Sequence, residues 1–170
     1  MDIPREKAYY HLPQEPGEVS AVNILLRLVD GIGFRYRWAT EQITGESAEY
    51  KPAPGSMSYQ ELLLHIFKLI HVVNAHFAGE TSLVWPPEKS DVQSLISGTI
   101  DLLQNLRGRL QEINDTELTR FSTKGYSFWY MINGPLADAL THIGQLNSWN
   151  RISGHPSLPV DVFRGIGPER

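Results

Sequence analysis

Apolar residues recur at steps of three and four in four separate segments of the chain. The first begins near Glu18, where Val22, Leu25, Leu26, Val29, Ile32, Tyr36, Ala39 and Ile43 would line one face of a helix. A polar loop with proline and glycine, "TGESAEYKPAPG", ends it. Ser58 and Glu61 in "SYQE" then have capping-box spacing, in which hydroxyl and carboxylate satisfy each other's orphan backbone N–H groups. They open a second helix, "YQELLLHIFKLIHVVNAHFAG", expected to stop at Gly79. Trp85-Pro86-Pro87 cannot continue a helix. Ser90 and Gln93 in "SDVQ" offer a second capping box, and behind them Val92, Leu95, Ile96, Leu102, Leu103, Leu106, Leu110 and Ile113 mark a third helix.

The stretch "NDTELTRFSTKGYSFWYMIN" breaks the period, and its aromatic end reads equally as a short strand or a helical turn. A fourth helix is expected to start near Asn133-Gly134-Pro135, where a first-turn proline loses no hydrogen bond, and to end near Gly154 with Pro156 beyond. The leading segment "MDIPREKAYYHLPQEPG" reads as an irregular arm and the tail "SLPVDVFRGIGPER" as extended. Four amphipathic helices of roughly twenty residues, with no strand series, predict an all-α four-helix bundle, one domain over residues 1–170. The connections after the first and third helices exceed what a helical hairpin needs, so a simple up-down-up-down order is not required.

Composition narrows the partners. Apolar residues make up 41% of the chain and charged residues 20%, values of a globular protein. A net charge of −4 gives no electrostatic reason to seek nucleic acid or anionic lipid. "FRYRWATEQ" interleaves Arg35 and Arg37 with aromatics, but the two arginines diverge on a helix and read as snorkelling side chains over packed rings. No apolar run reaches the roughly 18–20 residues of a membrane span, and "MDIPREK" is no secretory signal, so the expectation is a cytoplasmic protein. Cysteine is absent, which removes thiolate ligands and a cysteine nucleophile.

Chemistry-bearing residues concentrate in two helices. Asp138 and His142 stand four apart in "GPLADALTHIGQLNSWNRISGHP", one turn apart on one face, close enough to share a metal ion or simply a hydrogen bond. In the second helix His65 is immersed in "ELLLHI", where a buried imidazole needs a partner. His71 lies about 240° around from it, and His76 lies about 16 Å along the axis, so neither joins His65 on one ion. His76 reads as a polar contact or surface residue near the helix end, and His11 and His155 fall in loops. Two imidazoles and one carboxylate leave positions open for water or substrate and suit Zn(II), Ni(II), Fe(II) or Mn(II).

"ELLLHI" together with "ALTHIGQLNSWNRISGHP" resembles the DinB/YfiT-like superfamily of metalloenzyme candidates, and the likeness runs over nearly the whole chain. It implies a four-helix bundle, often a homodimer, with the second and third helices parallel across a long crossover. It further implies a metal held by one histidine of the second helix and an HxxxH pair of the fourth. By position His65 is the first ligand and His142 the last, and Asp138 stands where the first histidine of HxxxH would be. Some members use a low-molecular-weight thiol activated at the metal, as transferases or isomerases acting on small molecules; here any thiol comes from outside the chain.

Around this set, Gln145 either orients a ligand from behind or is a solvated helix residue, Asn147 and Trp149 line a substrate mouth unless the tryptophan belongs to the core or a dimer interface, and Gly144 suggests close approach of another helix. Glu41 is a candidate acid–base group. The functional expectation is a metal-dependent transferase or hydrolase acting on a small molecule, without nucleic-acid or membrane partners. The alternative is a non-catalytic bundle for binding or dimerisation with a vestigial site, and the aspartate at position 138 is what keeps it in play.

Overall fold

The computed structural model describes residues 7–78, 90–155 and 158–168. Four long helical segments carry the fold: α1 (Ala21–Thr40), α2 (Tyr59–Ala78), α3 (Val92–Gln111), then, after the single turns α4 (Asp115–Leu118) and α5 (Phe128–Met131), α6 (Ala137–Ile152). Between α4 and α5 a two-residue ribbon pairs β1 (Ser122–Thr123) with β2 (Tyr126–Ser127). The stretch that broke the helical period therefore holds both a ribbon and a helical turn. The expected stop at Gly79 and the Trp85-Pro86-Pro87 breaker lie outside the described residues.

The helix starts follow from local chemistry. Ser20 caps α1 by accepting from the Asn23 amide at 3.2 Å, and Asp115 at the start of α4 accepts from the Ala21 and Val22 amides at 3.0 and 2.9 Å. These two amide bonds hold the Asp115 carboxyl below its usual range. The capping box at α2 forms as read: the Ser58 amide donates to Glu61 at 2.7 Å and the Glu61 amide to the Ser58 hydroxyl at 3.2 Å. At α3 the reading was one residue early. Asp91 is the cap, accepting from the Ser94 amide at 2.9 Å, while the Gln93 amide group donates to the Ile43 carbonyl at 3.0 Å. A carboxylate beside a serine competes for the same orphan donors and here it wins.

Cross-helix contacts fix the directions. The Gln60 side chain donates to the Ser90 carbonyl, Gly98 sits under the Phe67 ring, and Asn74 donates to the Leu102 carbonyl, so α2 and α3 run parallel. Asp30 pairs with Arg107, and Gln93 reaches Ile43, so α1 and α3 are antiparallel. Asn150 ties three helices at one end: its amide donates to the Ala39 carbonyl at 2.8 Å and its oxygen accepts from the Tyr59 hydroxyl at 2.8 Å. Thus α6 runs with α1 and against α2. α1 packs on α3 and α6, and so does α2. Leu62, Leu63, Ile66, Ile70, Ile100, Leu103, Leu106, Ile143 and Leu146, each at most 1% exposed, form the shared core.

The fourth helix starts earlier than Pro135 suggested. Ser127 opens a helical run that passes from α5 through a π turn, Ile132–Leu136, straight into α6. Pro135 has no N–H, and in an α-helix its ring would strike the carbonyl four residues back. The wider π turn, closed by the Ala137 amide on the Ile132 carbonyl, accommodates it. The C-terminal end is as read, with Gly154 in the left-handed region (φ 84°) just past the helix.

The leading arm is irregular as expected, and the tail is not extended. The described part of the arm is packed: Tyr9 is 3% exposed and lies where a side chain at position 33 would be, so Gly33 is required by this approach. The tail turns back rather than running extended. Asp161 pairs with Ile166, which also bridges to His11, and the Asp161 carboxylate accepts from the Phe163 and Arg164 amides. Arg37 donates to the Ala8 carbonyl and lies over the Tyr10 ring, which is how that arginine leaves the core. No helix among the described residues is long and apolar enough to cross a membrane.

Candidate metal centre

His65 is in the second turn of α2, and the antiparallel α6 brings Asp138 and His142 opposite it. The donor atoms of the three side chains all lie within 4.8 Å of one another. His65 Nε2 is 3.3 Å from Asp138 Oδ2, and His142 Nε2 is 3.5 Å from Asp138 Oδ1. The two imidazole rings meet edge to face with centroids 4.7 Å apart. Bonds of about 2.0–2.2 Å to one ion place neighbouring donors roughly 3–3.5 Å apart, and each imidazole lies at that distance from a different oxygen of the Asp138 carboxylate. The side chains are 36%, 47% and 19% exposed for His65, Asp138 and His142, which leaves one side of the cluster open to solvent.

Gln145 supplies the orientation that its spacing suggested. Its Oε1 lies 2.8 Å from His142 Nδ1, a hydrogen bond that forms when Nδ1 carries the hydrogen. In the neutral ring Nε2 is then a bare lone pair aimed at a carboxylate oxygen. Two acceptors facing each other at 3.5 Å repel unless a cation, proton or metal, lies between them. A histidine held from behind in this way could serve as a metal ligand.

Other residues resolve differently. Glu41 is engaged by the Tyr10 hydroxyl at 3.0 Å, in the arm rather than at the cluster. Trp149 is 5% exposed and packs edge-on against Tyr59, so it belongs to the core. Among the described residues nothing lies within 4 Å of where a Cβ of Gly144 would stand, and no helix approaches it. His71 is half-buried near the Phe67 ring and outside the cluster.

His76 contradicts the sequence reading most. It is 1% exposed, packs against Phe77 and Phe121, and neither ring nitrogen has a hydrogen-bond partner among the described residues. Burial lowers its pKa below the usual imidazole value. A depressed pKa contributes stability that is present above the unfolded value of about 6.5 and is lost as pH falls through the folded one. His76→Leu is therefore expected to gain about 1 kcal/mol at pH 7.5 and to lose less stability than the parent between pH 7.5 and 5. Urea unfolding at the two pH values checks this; curves that shift in parallel would contradict it.

No family model, no curated protein and no solved structure matches the chain.

Proposed function

We propose that the chain is a divalent-metal-dependent enzyme of the DinB-like type, with His65, Asp138 and His142 holding one transition ion. The observation that carries this reading is the convergence of His65, Asp138 and His142, whose donor atoms lie within 4.8 Å of one another, with Gln145 Oε1 2.8 Å behind His142 at Nδ1. The parallel course of α2 and α3 adds support from the fold. The residues fit the group: two neutral nitrogen donors and one anionic oxygen on two facing helices, as in other bundle-core sites. Zinc, nickel, iron(II) or manganese(II) would satisfy this donor set. When bound, such an ion supplies Lewis acidity toward a water molecule or an external low-molecular-weight thiol. The protein's own part is to fix the donors, keep the open side free for a small-molecule substrate, and hold the His142 tautomer through Gln145. Transfer or hydrolysis is the reaction class this arrangement serves.

Metal analysis of untagged protein tests the reading, with the His65→Ala/His142→Ala double variant beside it. About one equivalent of a transition metal in the parent, and little in a folded double variant, is the expected result. A parent that takes up none of Zn(II), Ni(II), Mn(II) or Fe(II) on reconstitution would leave a helical binding or dimerisation module as the better account.

A further inference from the structure

A cavity of about 530 Å³ opens directly beside Asp138, within the size range of small-molecule sites. Its walls come from two elements. On α2, Leu69 and Val72 continue the stripe that carries His65, four and seven residues on. Opposite, the π turn and its flanks contribute Tyr130, Pro135 and Ala137. Tyr130 is 42% exposed and stacks on Tyr126 with centroids 4.1 Å apart, and Trp129 beside it is 72% exposed. Of these aromatic rings Tyr130 is the one that lines the cavity.

The charge of the lining is as informative as its shape. Among the described residues that line it, Asp138 is the only carboxylate, and there is no lysine or arginine. A phosphate, nucleotide or second carboxylate placed there would find no cationic side chain among the described lining residues, and an apolar ring would find Leu69, Val72, Pro135 and Tyr130. We infer that the cavity is the seat of an uncharged aromatic or apolar portion of the substrate, held between α2 and the π turn with its reactive end toward Asp138. The inference rests on the metal-centre reading for what lies at that end, but apart from Asp138 the seat is made of residues that ligate nothing.

The test separates the two. Chelator-treated protein is titrated with 2-naphthalenemethanol and, in parallel, with 2-naphthyl phosphate, following Trp fluorescence and the methyl resonances of Ala137 and Thr141. The neutral probe is expected to bind at least about tenfold more tightly than the phosphate ester, a difference of about 1.4 kcal/mol. Ala137→Leu, at an exposed position on the rim, fills the seat without replacing a ligand and is expected to weaken the neutral probe about tenfold or more. Val72→Phe repeats the block from the opposite wall. Metal uptake by Ala137→Leu, equal to the parent's, confirms that the site next to it is intact. Equal binding of the two probes, no binding of the neutral one, or binding that both filled variants retain would overturn the inference. Because the titration is run without metal, a protein that holds no ion still answers the question of the seat, and a protein that holds one but ignores the probe keeps the metal reading while losing this one.

Discussion

Zinc(II) binding by His142→Ala is expected to be weaker than by the parent by more than about a hundredfold, and by Gln145→Leu by about ten- to a hundredfold. The ordering follows from what each side chain does. His142 offers a donor atom itself, so its loss leaves one nitrogen and one carboxylate, a set that divalent ions hold poorly. Gln145 touches no donor face. It accepts the Nδ1 hydrogen at 2.8 Å, and without it the His142 ring is free to turn or to carry its hydrogen on Nε2. Asp138→His, which gives the pair the HxxxH form, is expected to keep binding near the parent's level because a neutral imidazole replaces one competent donor by another. Its affinity should depend more steeply on pH, since three imidazoles rather than two must be free of protons. Asp138→Ala should lose affinity as His142→Ala does. Competition against a chromophoric chelator at pH 7.5 gives all five dissociation constants. A Gln145→Leu protein that binds as the parent does would remove the orienting role assigned to that residue, and a flat series would remove the site.

The parts of this molecule that were legible in the sequence are those set by local chemistry or by simple periodicity. The Ser58–Glu61 box is one, because both of its hydrogen bonds are made within four residues. The convergence of His65 with Asp138 and His142 is another: one imidazole in an apolar run and a pair one turn apart can meet only where two helices face each other. What was not legible depends on the third dimension. Pro135 reads as the first turn of a helix, since a missing N–H is harmless there, and a π turn tolerates the same omission in mid-helix. Gly144 reads as a contact because glycine weakens a helix, yet it faces solvent, and the structure gives no packing reason for it. His76 reads as a helix-end polar residue, and only the fold shows that Phe77 and Phe121 enclose it. The cavity beside Asp138 has no sequence signature at all, because its two walls are more than fifty residues apart.

Asp30 is the clearest case of a charge whose meaning the chain order conceals, and it yields the second large expected effect. It follows Val29 in the apolar run of α1 and is 1% exposed, with its carboxylate 2.9 Å from the Arg107 guanidinium of α3. Burial pushes its pKa up to about 6 despite the pull of Arg107 at close range and of Arg27 further off. The buried Tyr9 hydroxyl of the arm also faces it, has no hydrogen-bond partner among the described residues, and is itself pushed well above the usual phenol range by burial and by the Asp30 charge. A carboxyl with a raised folded pKa contributes stability that is complete below its unfolded value of about 3.9 and is lost as pH rises through about 6. At neutral pH the ionised Asp30 is therefore tolerated, not favoured, and Arg107 is what makes it tolerable. Arg107→Met keeps most of the volume and removes the counter-charge. It should cost about 3 kcal/mol at pH 8, where Asp30 must ionise alone or take up a proton against a high solution pH. At pH 5 Asp30 is largely protonated in parent and variant alike, and the cost should fall to less than half. Asp30→Asn/Arg107→Met, which buries neither charge, should recover most of the loss at pH 8 and show little dependence on pH between 5 and 8. Urea unfolding of the parent, the single variant and the double variant at both pH values decides the matter. A single-variant cost that is the same at pH 5 and pH 8 would mean that Arg107 acts through packing and its bond to Gln111, and that the Asp30 charge is compensated by other means.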